Sequence, residues 1–93
     1  MFSWDTQKAI QNFEKHGVSF EEAVTIFADP EGLDWEDLAH SAQETRFKRL
    51  GTSSEDRILL VVYTIRRSKD GKETIRIISA RQASRKERQA YSG

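Results

Sequence analysis

The stretch Ile58-Leu59-Leu60-Val61-Val62-Tyr63-Thr64-Ile65-Arg66-Arg67-Ser68-Lys69-Asp70-Gly71-Lys72-Glu73-Thr74-Ile75-Arg76-Ile77-Ile78-Ser79-Ala80 decides the fold. Arg57 to Arg66 reads as one strand. Its unbroken apolar run, Ile58 to Tyr63, suits a central strand covered on both faces. Asp70-Gly71 is a hairpin-turn pair, because so tight a reversal needs positive φ, which Gly adopts without steric cost. Glu73 to Ala80 then returns as the next strand. Upstream, Glu44 to Leu50 alternates, placing Arg46, Lys48 and Leu50 on one side and Thr45, Phe47 and Arg49 on the other. The turn Gly51 to Asp56 links it to the central strand. A three-stranded antiparallel meander is predicted.

The first third of the chain follows a different period. Phe2 to Trp4 reads as a short edge strand ending at Asp5, a good helix N-cap. Thr6 to His16 is a helix with Ala9, Ile10 and Phe13 on its apolar face, closed by Gly17. Ser19-x-x-Glu22 is a capping box with Val18 in the staple position. Phe20, Ala23, Val24 and Phe27 then form a second apolar stripe, which Asp29-Pro30 ends. Residues 31–43 are acidic and read as a loop with one helical turn. Ser84-x-x-Glu87 opens a short C-terminal helix to about Tyr91. Residues 1–93 are thus expected to form one α+β domain: a short N-terminal strand, two helices packed on an antiparallel β-sheet, and a short C-terminal helix.

Composition narrows the chemistry. Cys is absent, which excludes disulfides, thiolate zinc sites and cysteine nucleophiles. The two His residues form no H-x-x-x-H pair, the acidic stretch lacks calcium-loop spacing, and no Gly-rich phosphate loop occurs. No metal or cofactor is expected. No apolar run can span a bilayer and Met1 to Asp5 lack a signal peptide's features, so a cytoplasmic protein without a membrane partner is expected. The net charge is zero, but residues 1–45 hold two basic and ten acidic side chains, whereas residues 46–93 hold thirteen and five. The halves carry −8 and +8. The basic half suits a polyanion such as nucleic acid, unless the two halves neutralise one another internally.

Within the basic half, arginine matches phosphate because its planar fork donates two parallel hydrogen bonds. Arg76 sits among Ile75, Ile77 and Ile78, so it either emerges on an open sheet face or pairs with a carboxylate such as Glu44. Glu87 and Tyr91 share a helix face; Glu87 could aid proton transfer or simply complete its capping box. His16 could shuttle protons or favour the carbonyl end of its helix. His40, in the acidic loop, is a weaker candidate.

Taken together, Phe2-x-Trp4-Asp5, Lys15-His16-Gly17-Val18-Ser19-Phe20-Glu21-Glu22-Ala23, Phe27-x-Asp29-Pro30, Glu44-x-Arg46-x4-Gly51, Val61-Val62-Tyr63-Thr64 and Arg76-Ile77-Ile78-Ser79-Ala80-Arg81-x-Ala83-Ser84-x-x-Glu87-x-x-x-Tyr91 resemble the BrnT family of type II toxins. The resemblance covers almost the whole chain. It implies a RelE-like fold, endoribonuclease activity that blocks translation, and neutralisation by a BrnA-like ribbon-helix-helix antitoxin. Operator DNA would be reached only through that antitoxin.

Metal-independent RNA cleavage uses the substrate's 2′-hydroxyl as nucleophile, so the protein must position it, move protons and stabilise charge on phosphorus. Arg46, Arg76 and Arg81 are assigned the phosphate, and His16, Glu44 and Tyr91 proton transfer or positioning. Lys15, Lys48, Arg85 and Arg88 are expected to bind RNA. The competing expectation is a non-catalytic toxin-like protein that acts only in an antitoxin–operator repressor complex. A general RNA-binding module ranks last, because the strands lack stacking aromatics.

Overall fold

The computed structural model describes residues 1–92, and its elements follow the predicted order with one addition. They are β1 (Phe2–Ser3), α1 (Thr6–His16), α2 (Phe20–Thr25), β2 (Leu33–Glu36), β3 (Phe47–Thr52), β4 (Ile58–Arg67), β5 (Glu73–Gln82) and α3 (Arg85–Ser92). The sheet order is β1-β5-β4-β3-β2, parallel only between β1 and β5. The α+β class and the two helices on an antiparallel sheet are as the sequence predicts.

The added strand is β2. Residues 31–43 do contain a helical turn, at Leu38–His40, but Leu33–Glu36 pairs with Phe47–Leu50 as the far edge of the sheet. All four of its residues are exposed, and the apolar–polar alternation of Leu33-Asp34-Trp35-Glu36 is only four residues long inside an acidic stretch, too short a signal to stand out in a sequence reading. The same pairing shifts β3 later than expected, to Phe47–Thr52, leaving Glu44 in the loop before it.

Helix ends follow the local signals. Asp5 accepts from the Lys8 N–H, and Gly17 closes α1 at φ 69°, where a side chain would be strained. Ser19 accepts from the Glu22 N–H, but the Glu22 carboxylate does not return to the cap. It instead binds Arg57 and Ser53, joining α2 to the β3–β4 turn. At Ser84 and Glu87 both halves of the box form.

The core lies between the helices and the sheet. Val18, Phe20, Ala23 and Ile26 meet Leu59, Val61, Tyr63, Ile77 and Ala80. Full burial of each larger apolar side chain contributes about 1.5–3 kcal/mol. Phe27 bridges this core, with its ring 5.1 Å from both Phe2 and Tyr63. The tyrosine hydroxyl donates to Asp34, and burial together with that carboxylate pushes its pKa up to about 12.

The inward face of α1 differs from the expected Ala9-Ile10-Phe13 stripe. Ile10 and Phe13 are half exposed, and the buried residue is Asn12. Its amide accepts the Ala80 N–H and donates to the Ala80 and Val18 carbonyls. Beyond the two paired residues of β1, β5 has no strand partner on that side. The amide therefore satisfies backbone groups that would otherwise be buried without partners. A polar residue sets the helix rotation for that reason.

The opposite sheet face is only partly covered. Helix α3 packs at one end, where Leu50, Leu60 and Ala83 meet Ile58 and Tyr91.

Candidate active site

Three open cavities adjoin along this second face, and Arg46 borders all of them. The largest, about 560 Å³, lies beside residues 39–44 and includes His40, Glu44 and Arg66. A second, about 270 Å³, is floored by Leu60, Val62, Ile78 and Ser79 and rimmed by Asp37, His40, Lys48 and Arg81. A small third adds Asp5, Lys8 and Arg76. The result is a groove with Arg46 at its centre and cations from the start of β3, from β4 and from β5 around it.

Strand geometry explains the gathering. Lys48 and Val62 are paired neighbours, as are Thr64 and Arg76, and Leu60 and Arg81, so their side chains share one face. The β4–β5 register slips between Val62 and Tyr63, leaving Ile78 as an extra residue in β5. This bulge restores Arg81 to the face that carries Arg76.

Charge pairing separates the groove's cations into two sets. Arg66 approaches Glu44 at 3.6 Å, and Arg81 binds Glu87 with both nitrogens, at 2.7 and 2.9 Å. The Arg81 hydrogen bonds, helped by the Ser84 N–H, draw the Glu87 pKa down to about 2 against the opposing effect of burial. Among the described residues, Arg46, Lys48 and Arg76 form no ion pair. Arg76 thus takes the open-face alternative, and its possible partner Glu44 goes to Arg66.

Among the described residues, three ion pairs do join the acidic half of the chain to the basic half: Asp34–Arg49, Glu22–Arg57 and Glu44–Arg66. Arg49 belongs wholly to the scaffold. It lies on the helix side, 5.4 Å from the Phe27 ring, and donates to the Ile26 and Asp29 carbonyls.

The residues assigned from sequence therefore divide. Arg46, Arg76, Arg81, Glu44 and Lys48 border the groove. His16 and Lys15 sit at the carboxyl end of α1, about 12 Å along the axis from Lys8 at its rim. Tyr91 borders none of the groove's cavities. Its hydroxyl contacts Thr52 and donates to Asp29, whose carboxylate also accepts the Thr52 N–H. The Thr52 N–H and then the Tyr91 hydroxyl hold the Asp29 pKa low, and the bond to Asp29 raises that of Tyr91 against the opposing effect of Thr52. Tyr91 is an anchor joining α3 to β3 and to Asp29, which closes the helical turn Ile26–Ala28 after α2. Arg85 and Arg88 are exposed on α3, Arg88 donating to the Ala83 carbonyl.

Sequence reasoning passed over Lys8 and Asp37 and underrated His40. The available signal was Asp37-x-x-His40, a spacing that brings both side chains to one side of a helical turn. The His40 Nδ1 lies 3.0 Å from the Asp37 carboxylate, which is buried, whereas His40 is largely exposed. Among the described residues, no three His, Asp or Glu side chains converge on a metal-sized site, and no helix is long and apolar enough to cross a membrane.

Known proteins share the fold. The chain is similar to the crystal structure, at 1.1 Å, of the Brucella abortus ribonuclease toxin BrnT, with a TM-score of 0.67 and 24% identity. The match covers 91% of this chain and 99% of that one and shows a common fold. No curated protein sequence matches. Residues 4–87 match the family described as the ribonuclease toxin, BrnT, of type II toxin–antitoxin systems. That span contains both helices of the core, the whole sheet beyond β1 and every groove residue, and the chain belongs to the BrnT family of ribonuclease toxins, whose type II systems imply an antitoxin partner.

Proposed function

We propose that this protein is an endoribonuclease that cleaves RNA without a metal, inhibits translation, and is neutralised by a BrnA-like ribbon-helix-helix antitoxin through which alone it reaches operator DNA. The observation that carries this reading is the groove centred on Arg46, where Lys48 and Arg76 add two further cations free of ion pairs. A free guanidinium in a partly enclosed groove binds phosphate well, because the desolvated site strengthens a bidentate contact.

In this reading Arg46 and Arg76 hold the scissile phosphate and stabilise the extra charge as the 2′-oxygen attacks. Lys48 steers the strand. Arg81, fixed by Glu87, presents an oriented edge whose reorganisation cost is already met. Glu44 positions Arg66 at the groove's other end. Arginines are poor bases, with pKa values above about 12, so they supply charge and leave proton transfer to another group.

Purified protein incubated with RNA in EDTA is expected to release fragments ending in cyclic phosphate, and Arg46→Ala to slow this about a hundredfold. Induced alone, the gene should arrest growth, with rescue by its antitoxin. Intact RNA with the wild-type protein, beside a complex that still binds operator DNA, would instead establish the non-catalytic repressor and overturn the proposal.

A further inference from the structure

The groove holds phosphate-binding cations, yet none of the arginines can remove a proton. The helical turn Leu38–His40 supplies the missing group. Three hydrogen bonds lock its surroundings: the Asp37 N–H donates to the Arg46 carbonyl at 2.7 Å, the Ser41 hydroxyl donates to the Asp37 carbonyl at 2.7 Å, and the Arg46 N–H donates to Ser41 at 3.0 Å. The loop is therefore tied to the residue at the groove's centre. Asp37 is 7% exposed, and its carboxylate has one side-chain partner, the imidazole of His40, itself 65% exposed. Burying a carboxylate costs several kcal/mol unless hydrogen bonds compensate, and one bond to an exposed imidazole is weak compensation if stability alone is considered. The arrangement makes sense if its product is an oriented ring: Nδ1–H donates to Asp37, which leaves Nε2 as an acceptor.

We propose that His40 is the general base of RNA cleavage in this groove and that Asp37 is its positioning residue. The inference rests on the nuclease reading and assigns that reaction its proton acceptor. His40 borders both larger cavities, with Arg46 beside it in each. The charged groups facing it are Asp37 and Glu44 from the loop, Arg46 and Lys48 from β3 and its approach, Arg66 from β4 and Arg81 from β5. Asp37 then stabilises the imidazolium once formed.

The step balances as follows. The 2′-oxygen bonds to phosphorus as the bond from phosphorus to the 5′-oxygen breaks, and the 2′-hydroxyl proton passes to Nε2 of His40. Water protonates the departing 5′-oxygen. The hydroxide so formed takes the proton from the imidazolium, restoring the neutral ring. The products are a 2′,3′-cyclic phosphate and a 5′-hydroxyl.

The test is single-turnover cleavage of a short RNA oligonucleotide by the full chain between about pH 5 and pH 9, with binding of its 2′-deoxy analogue measured in parallel. His40→Ala and His40→Gln should each slow cleavage about a hundredfold, lose the acid limb of the pH profile and bind the analogue as wild type does. Added imidazole should restore part of the His40→Ala rate. Asp37→Asn, whose amide can donate to Nδ1 and move the ring proton to Nε2, should also lose rate at unchanged analogue binding. Wild-type cleavage by His40→Ala with an unaltered pH profile overturns the inference and leaves the nuclease reading standing. A wild-type protein that cleaves no RNA overturns both.

Discussion

Arg76 and Arg81 project from the same face of β5 although they stand five positions apart, an odd spacing that would put them on opposite faces of a regular strand. The extra residue at Ile78 makes the difference. Arg76 stands opposite Thr64 and Arg81 opposite Leu60, two positions on the groove side of β4. The bulge is thus the device that assembles a two-arginine wall from one strand.

Deleting Ile78 should therefore force either Arg76 or Arg81 toward the helices and the apolar core beneath them. A buried, unpaired guanidinium costs about 3–5 kcal/mol. Urea unfolding should show the loss. A midpoint equal to that of wild type would mean that the bulge can migrate without consequence.

Asn12→Leu keeps the side chain's bulk but removes the amide that binds Ala80 and Val18. Leaving their backbone groups unpaired should cost about 2–4 kcal/mol. Hydrogen exchange at the Ala80 amide offers a local check, since its protection should fall before that of Val61.

Tyr91→Phe removes one hydroxyl shared with Asp29 and Thr52 and leaves the ring packed on the Leu50–Leu60 cluster. Stability should drop by about 1 kcal/mol. RNA cleavage per folded molecule should be unchanged, because the hydroxyl lies outside the groove. A large loss of rate without unfolding would return Tyr91 to the catalytic set.

The Glu87 carboxyl is drawn down from 4.5 to about 2, first by Arg81 and then by Ser84. The unfolded chain therefore takes up this proton at higher pH than the folded one. The pair's contribution is complete above about pH 4.5 and disappears as the pH falls toward 2. Glu22, held low chiefly by Arg57, and Asp29, held low chiefly by the Thr52 N–H, act in the same direction. Glu87→Gln should flatten the acid side of the stability curve in that window and lower stability near neutrality. Parallel curves for both proteins would show that the pair contributes nothing.

Salt dependence reports phosphate contacts directly. For a single strand, each contact removed should reduce the slope of log binding against log salt by about 0.7. Arg46→Ala and Arg76→Ala should each do so, whereas Arg49→Ala, on the helix side, should weaken folding and leave the slope intact.

Legibility from sequence followed the range of the forces involved. The helix ends at Asp5, Gly17, Ser19 and Ser84 could be read because caps act within four residues. The central position of β4 could be read because its apolar run tolerates only burial. Strand β2 could not, since its alternation of Leu33, Asp34, Trp35 and Glu36 lasts only four exposed residues and its partner lies in β3. The inward rotation of α1 was hidden for a related reason: Asn12 is polar, and its partner Ala80 is 68 residues away.

The amino-acid sequence by itself determined the elements, their order, the α+β class and the family, because periodicity and capping are local and the family's motifs are linear. Only the tertiary structure decided which cations stand free. Whether Arg46 and Arg49, three residues apart, face a substrate or the protein's own carbonyls depends on strand phase and on what packs against each face. The same holds for His16 and His40. Both are alike as residues, and only the fold puts one at a distant helix end and the other beside Asp37 in the groove.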